Sequence, residues 1–152
     1  MLGNEFEMSF FQGQERLVTM KNLLVAQSGG PSAAINATLA GVVEKAMTNQ
    51  NVGKIYGAKN GIMGILTDKL IDLTETLADP ETLQLLCQTP SSALGSCRMK
   101  LSDWEESTFE YDKILGIFRK YDIGYFVYIG GNDSMDTVHK LAGFCERMRI
   151  DD

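Results

Sequence analysis

Two stretches of this sequence place paired glycines and small polar side chains directly behind an apolar run: Ser28-Gly29-Gly30-Pro31 and Gly130-Gly131-Asn132-Asp133-Ser134. Glycines let a backbone come close to an oxyanion. A helix that follows aims its free amide groups and the positive end of its dipole at that anion, and a serine adds a hydroxyl donor. The chemistry suited to such loops is the binding of a phosphate-like ligand. One Gly-Gly alone is as well explained by a tight strand-to-helix turn, but two pairs in matching positions favour an anion cradle. Neither loop fits the dinucleotide fingerprint or the Walker pattern, so the loops do not name the ligand.

A third stretch, Gly95-Ser96-Cys97-Arg98, brings an arginine where neither helical nor strand periodicity runs. A fixed guanidinium holds phosphoryl oxygens through several donors at once; a solvated surface arginine is the alternative. Asp133 is out of keeping with a phosphate cradle, because a carboxylate repels the ligand unless a metal or an arginine compensates. As a plain helix cap it needs no further account. Cys87, Cys97 and Cys145, with the single histidine His139, lack zinc-site spacing. The cysteines are expected to be free thiols, and His139 a surface or packing residue.

The loops need strands and helices to present them. Residues 21–27, KNLLVAQ, form a short apolar run that suits a strand buried on both faces. Pro31 fits the first turn of a helix, and SAAINATLAGVVEKAMTN continues it with apolar residues three and four apart. KIYGAK reads as a second strand, NGIMG as a glycine-punctuated loop, PETLQLLCQ behind Asp79 as a helix, and residues 89–100 as a loop. Residues 107–121 put Phe109, Ile114, Leu115, Ile117 and Phe118 largely on one helical stripe, and residues 124–129 form another buried strand. Asp133 or Ser134 is expected to cap a last helix that runs to about Met148. Strands alternating with helices predict an α/β fold, a three-layer Rossmann-like parallel sheet with helices on both faces and ligands at the carboxyl ends of the strands.

At 152 residues, 44% of them hydrophobic and 22% charged, one domain is the expectation. Twenty acidic residues against fourteen unclustered basic ones argue against nucleic-acid or anionic-membrane partners. No apolar run approaches the roughly eighteen residues needed to cross a bilayer, and no basic-then-apolar leader opens the chain, so the cytoplasm is the expected location. Residues 1–19 show no periodicity and are expected to form a disordered or loosely packed extension to a partial domain over residues 20–152.

In order, spacing and strand context, LLVAQSGGPSAAINATLAGVV, GAKNGIMGIL, GSCRM and YIGGNDSMDT resemble the phosphofructokinase family over residues 21–148. The resemblance implies that Gly29, Gly30, Gly131 and Ser134 hold the phosphoryl donor, Gly29 through its backbone, and that Arg98 stabilises charge on the transferring group. In the family's Gly-Gly-Asp-Gly-Ser block the aspartate supports Mg2+ and the following glycine leaves room for the α-phosphate of ATP. Here Asp133 stands in that glycine's place, which in the family marks users of pyrophosphate, so Asp133 is the expected catalytic-site selector of the donor. A side chain fills the space and a like charge penalises a third phosphate. Asn132 replaces the usual aspartate; its oxygen is the candidate metal ligand, without the charge.

The implied reaction is attack of the 1-hydroxyl of fructose 6-phosphate on pyrophosphate, giving fructose 1,6-bisphosphate and phosphate in glycolysis, by a homo-oligomer. The blocks expected next in such enzymes, lysine-threonine and then aspartate-asparagine-aspartate with the catalytic base, do not occur up to Asp152. The chain is therefore expected to be the amino-terminal donor-binding part of a longer enzyme and inactive by itself. Two alternatives stand beside this: an ATP-dependent 6-phosphofructokinase in which Asp133 turns away, and a non-catalytic phosphate-binding α/β module.

Overall fold

A strand with no polar face is stable only in the middle of a sheet covered on both sides. In the computed structural model, which describes residues 20–148, β1 (Lys21–Gln27) takes that place. It lies between β2 (Val52–Ala58) and β4 (Ile123–Ile129), parallel to both, with Leu24, Val25 and Ala26 fully buried. Successive side chains of a strand point to opposite faces. Leu23 and Val25 accordingly pack with Ile55 against Leu39 and Val43 of α1 (Ile35–Met47) and Leu73 of α3 (Leu73–Thr76). Leu24 and Ala26 pack on the other face against α2 (Ile62–Leu66), α5 (Phe109–Lys120) and α6 (Asn132–Met148). The expected three layers are present.

The sheet is not wholly parallel. Its order is β3-β2-β1-β4, and β3 (Leu70–Asp72) runs antiparallel to β2. Parallel pairing needs a crossover of about a dozen residues or more, usually with a full helix. The eleven residues between Ala58 and Leu70 hold only the short α2, and the chain turns back instead.

That helix corrects the reading of NGIMG as a loop. Gly61 (φ 61°) forms the turn before α2, and Ile62 N–H donates to the Tyr128 hydroxyl at 3.2 Å. A Cβ on Gly64 would lie 2.0 Å from the Lys59 carbonyl oxygen. Gly64 thus serves close backbone packing and does not break the helix. Helix α1 begins at Ile35, not Pro31, leaving residues 31–34 to the loop after β1.

In α5 the buried face is Tyr111, Ile114 and Leu115, whereas Phe109 is 70% exposed. At about 100° per residue Phe109 lies some 200° around the helix from Tyr111, off the stripe assigned to it. The Tyr111 ring packs 4.9 Å from that of Phe144 in α6, and its hydroxyl donates to the Ser102 carbonyl at 2.6 Å. Helix α4 (Pro80–Gln88) starts as read, with Asp79 Oδ2 accepting from Thr82 N–H at 2.9 Å. The extension assigned to residues 1–19 lies outside the described residues.

Candidate functional site

β1 and β4 are neighbours in register, Gln27 opposite Ile129, so the two glycine loops leave the same end of the sheet side by side. Ser28 N–H donates to the Ile129 carbonyl at 2.8 Å and extends the ladder into the loops. The third loop is brought to them by long-range hydrogen bonds. Ser96 Oγ donates to the Gly29 carbonyl at 2.6 Å, and Ser28 Oγ to the Cys97 carbonyl at 3.4 Å. A cleft of about 380 Å³ results, lined by Gly29, Gly30, Arg98, Gly131, Asn132, Asp133 and Ser134 together with Ser28 and Cys97. Every site residue singled out from the sequence meets in it.

The glycines differ in why they are glycines. Gly29 has φ 79°, a left-handed conformation that disfavours other residues. A Cβ on Gly130 would lie 2.0 Å from Ser134 Oγ. Gly30 and Gly131 have neither reason: their φ values are not left-handed, and a Cβ on either would meet nothing within 4 Å. Bare backbone against open space is what a closely seated oxyanion uses.

Ser134 adds a second sign of a ligand. It is 2% exposed, and its Oγ has no hydrogen-bond partner among the described residues. An unmade buried hydrogen bond costs about 1–3 kcal/mol, so such groups are normally satisfied. Asp133 and Ser134 both lie inside the first turn of α6, so neither is the cap before it. Ser134 lies at the amino end of a 17-residue helix, where its own N–H and that of Met135 donate to the Gly131 carbonyl at 3.1 Å.

Arg98 is exposed and makes no hydrogen bond or ion pair among the described residues, leaving its guanidinium free for a ligand. Asp133 is engaged: its Oδ1 lies 2.8 Å from Lys100 Nζ. That hydrogen bond and the charge of Asp133 hold the Lys100 ammonium above the ordinary lysine range. Tyr128, beneath the loops, has its phenol pushed up chiefly by burial and stays protonated near neutral pH. The cleft thus brings bare glycine backbone, an unpaired guanidinium and a buried hydroxyl together, a set of groups suited to an anion.

Among the described residues the donor chemistry does not complete a magnesium site. Asn132 offers one neutral oxygen, Asp133 is bound to Lys100, and the described residues contain no group of three metal-binding side chains. Among the described residues Cys87, Cys97 and Cys145 form no disulfide, and His139 is exposed. No helix of the described residues is long and apolar enough to cross a membrane.

Three residues that position the cleft were not singled out from the sequence. Gln27, fully buried, accepts from Leu94 N–H at 2.9 Å and from Ser92 Oγ at 3.0 Å, and donates to Asn36 Oδ1 at 3.1 Å. Asn36, 1% exposed, accepts from Ala93 N–H at 2.9 Å and donates to the Thr89 carbonyl at 2.9 Å. Lys100 is the third. A polar residue at the end of an apolar strand was the only available cue to Gln27. Asn36→Ala strips partners from Gln27, Thr89 and Ala93 and is expected to lower the unfolding free energy by about 3 kcal/mol in urea titrations. A loss below about 1 kcal/mol would mean that the Arg98 loop is held by other contacts.

A sequence model of the family described as Phosphofructokinase matches residues 22–150. The chain is 44% identical over 129 residues to a protein of Methylococcus capsulatus named pyrophosphate--fructose 6-phosphate 1-phosphotransferase, over 84% of this chain and 30% of that one. An ATP-dependent 6-phosphofructokinase of Actinobacillus pleuropneumoniae is 31% identical over 118 residues, 76% of this chain and 32% of that one. The crystal structure of a pyrophosphate-dependent phosphofructokinase from Nitrosospira multiformis superposes with a TM-score of 0.76 at 43% identity, over 84% of this chain and 31% of that one. The chain spans about 30% of the length of the first of these relatives.

Proposed function

The chain belongs to the phosphofructokinase family, and on that premise we propose that it forms the pyrophosphate cradle of an enzyme that phosphorylates the 1-hydroxyl of fructose 6-phosphate. The observation that carries this is the pairing of bare glycine backbone at Gly30 and Gly131 with the unpartnered buried hydroxyl of Ser134, in one cleft with an unpaired Arg98. The greater identity to pyrophosphate-named relatives than to ATP-named ones supports the choice of donor.

In the reaction the sugar oxygen forms a bond to one phosphorus of pyrophosphate, the bridging P–O bond breaks, and phosphate leaves with the bonding electron pair. The hydroxyl proton passes to a base that the cleft residues do not supply. Phosphoryl transfer of this kind depends mainly on positioning and charge stabilisation. The amides of Gly29, Gly30 and Gly131, with the Ser134 hydroxyl, hold the phosphoryl oxygens, and Arg98 neutralises charge that spreads over them in the transition state. Asp133 occupies the place where a third phosphate would extend. In this reading magnesium would arrive as the salt of pyrophosphate, and Asn132 is the neutral oxygen donor in the cleft that could face it. The enzyme is expected to be a cytoplasmic homo-oligomer.

The test is the donor dependence of fructose 1,6-bisphosphate formation by the native full-length gene product at saturating fructose 6-phosphate, with light scattering on the same sample for its size. Turnover with magnesium pyrophosphate and none with magnesium ATP is expected. Turnover with ATP alone would transfer the cradle to an ATP-dependent enzyme, and turnover with neither would leave a phosphate-binding module.

A further inference from the structure

Lys100 and Asp133 meet at the exposed edge of the cleft, Nζ to Oδ1 at 2.8 Å, with side chains 64% and 59% exposed. Exposed pairs of this kind usually contribute little, because two side chains must be ordered against water and salt. Here both backbones are held. Leu101, next to Lys100, is 2% exposed, and its carbonyl accepts from Lys140 Nζ at 3.1 Å. The same ammonium lies 2.9 Å from Asp103 Oδ1, which fastens this segment to α6 on the far side of Lys100. On the near side Ser96 is tied to Gly29. Asp133 is the second residue of α6, and its carbonyl accepts from Thr137 Oγ1 at 2.9 Å.

Two cations two residues apart are thus used differently. Among the described residues Arg98 lines the cleft without a hydrogen-bond or ion-pair partner, and Lys100 is committed to the one carboxylate that lines it. Left unpaired, that carboxylate would repel pyrophosphate as strongly as any other polyphosphate. Paired, it keeps its bulk and loses most of its charge. We propose, on the pyrophosphate reading above, that Lys100 is a positioning residue for donor selection: it holds the Asp133 carboxylate at the cleft edge and cancels its charge. The carboxylate then obstructs a longer polyphosphate without repelling pyrophosphate.

The full-length protein that carries both partners and the cradle is titrated with magnesium pyrophosphate by calorimetry. Lys100→Met is expected to weaken binding about tenfold, and Lys100→Arg to stay within about twofold of the unmodified chain. In an Asp133→Gly background Lys100→Met is expected to change binding by less than about twofold, because the residue acts through the carboxylate. A merely structural lysine would show neither the arginine rescue nor the dependence on Asp133. As a ligand-free arm, nitrogen NMR of the Lys100 ammonium is expected to show a titration above the ordinary lysine range that falls back in Asp133→Gly.

If that titration does not move, or if Lys100→Met binds pyrophosphate like the unmodified chain, the proposal is overturned while the pyrophosphate reading stands. If the unmodified chain takes up no pyrophosphate, the pyrophosphate reading fails and this proposal with it.

Discussion

Replacing Arg98 by methionine is expected to lower kcat for pyrophosphate-dependent phosphorylation of fructose 6-phosphate by about a thousandfold, the scale on which a single cation at a transferring phosphoryl group acts. The structural ground is that Arg98 lies in the cleft and spends no donor on the protein, so its guanidinium is free for the reacting group. The substitution removes no hydrogen bond or ion pair among the described residues, and the melting temperature is expected to stay within about 2 °C of the native value. Arg98→Lys is expected to restore only part of the rate, because an ammonium is a point charge and cannot reproduce the planar fork on two oxygens. Steady-state kinetics with a thermal melt decides the matter. A loss of less than about threefold in kcat would make Arg98 a surface residue and remove it from the transition state.

Asp133→Gly is expected to raise kcat/KM for magnesium ATP by about a hundredfold, while pyrophosphate turnover persists. A hundredfold corresponds to about 2.7 kcal/mol, which is of the order that a clash built against the wrong partner supplies. The side chain lines the cleft from the first turn of α6, and glycine there removes both its bulk and its charge. Asp133→Asn separates the two: it keeps nearly the same volume and breaks the charge balance with Lys100. If ATP use rises with glycine and stays low with asparagine, bulk excludes ATP; if it rises equally with both, charge does. No rise in ATP use with either would show that donor choice is made elsewhere in the enzyme. Glycine in a helix costs about 1 kcal/mol, so a small fall in melting temperature is expected and does not bear on specificity.

The lengths of apolar runs and their spacing were enough to recognise β1, α1, α5 and α6, because each buries a coherent stripe or run and the hydrophobic pattern records it. The Asp79-Pro80 start marked α4, which buries no residue, and β4 was recognised as a strand but lies at the sheet edge, half-buried and with Tyr125 exposed, not in the buried place its apolar run suggested. β3 escaped because three residues carry no pattern of their own. Its antiparallel direction follows from the shortness of the connection from β2, a property of the path of the chain. α2 escaped because Gly64 looks like a breaker in the sequence, and only the Lys59 backbone against it explains the glycine. Phe109 was misplaced for a related reason: an aromatic near the stripe reads as core, but the phase of the helix turns it to solvent and Tyr111 inward.

By itself the sequence determined the glycine loops, the arginine loop and their α/β setting, since glycine, arginine and helix-start chemistry act over a few neighbouring residues. Their meeting was decided by the tertiary structure. The register of β1 with β4 and the buried amides of Gln27 and Asn36 bring together segments 53 or more residues apart. The structure also separated glycines that the backbone requires, Gly29 and Gly130, from those it leaves bare toward open space, Gly30 and Gly131. It found for Asp133 a partner in Lys100 that no local pattern announces. Contacts of that range depend on where the strands place the chain ends, and a short-range code of propensity and periodicity carries no record of them.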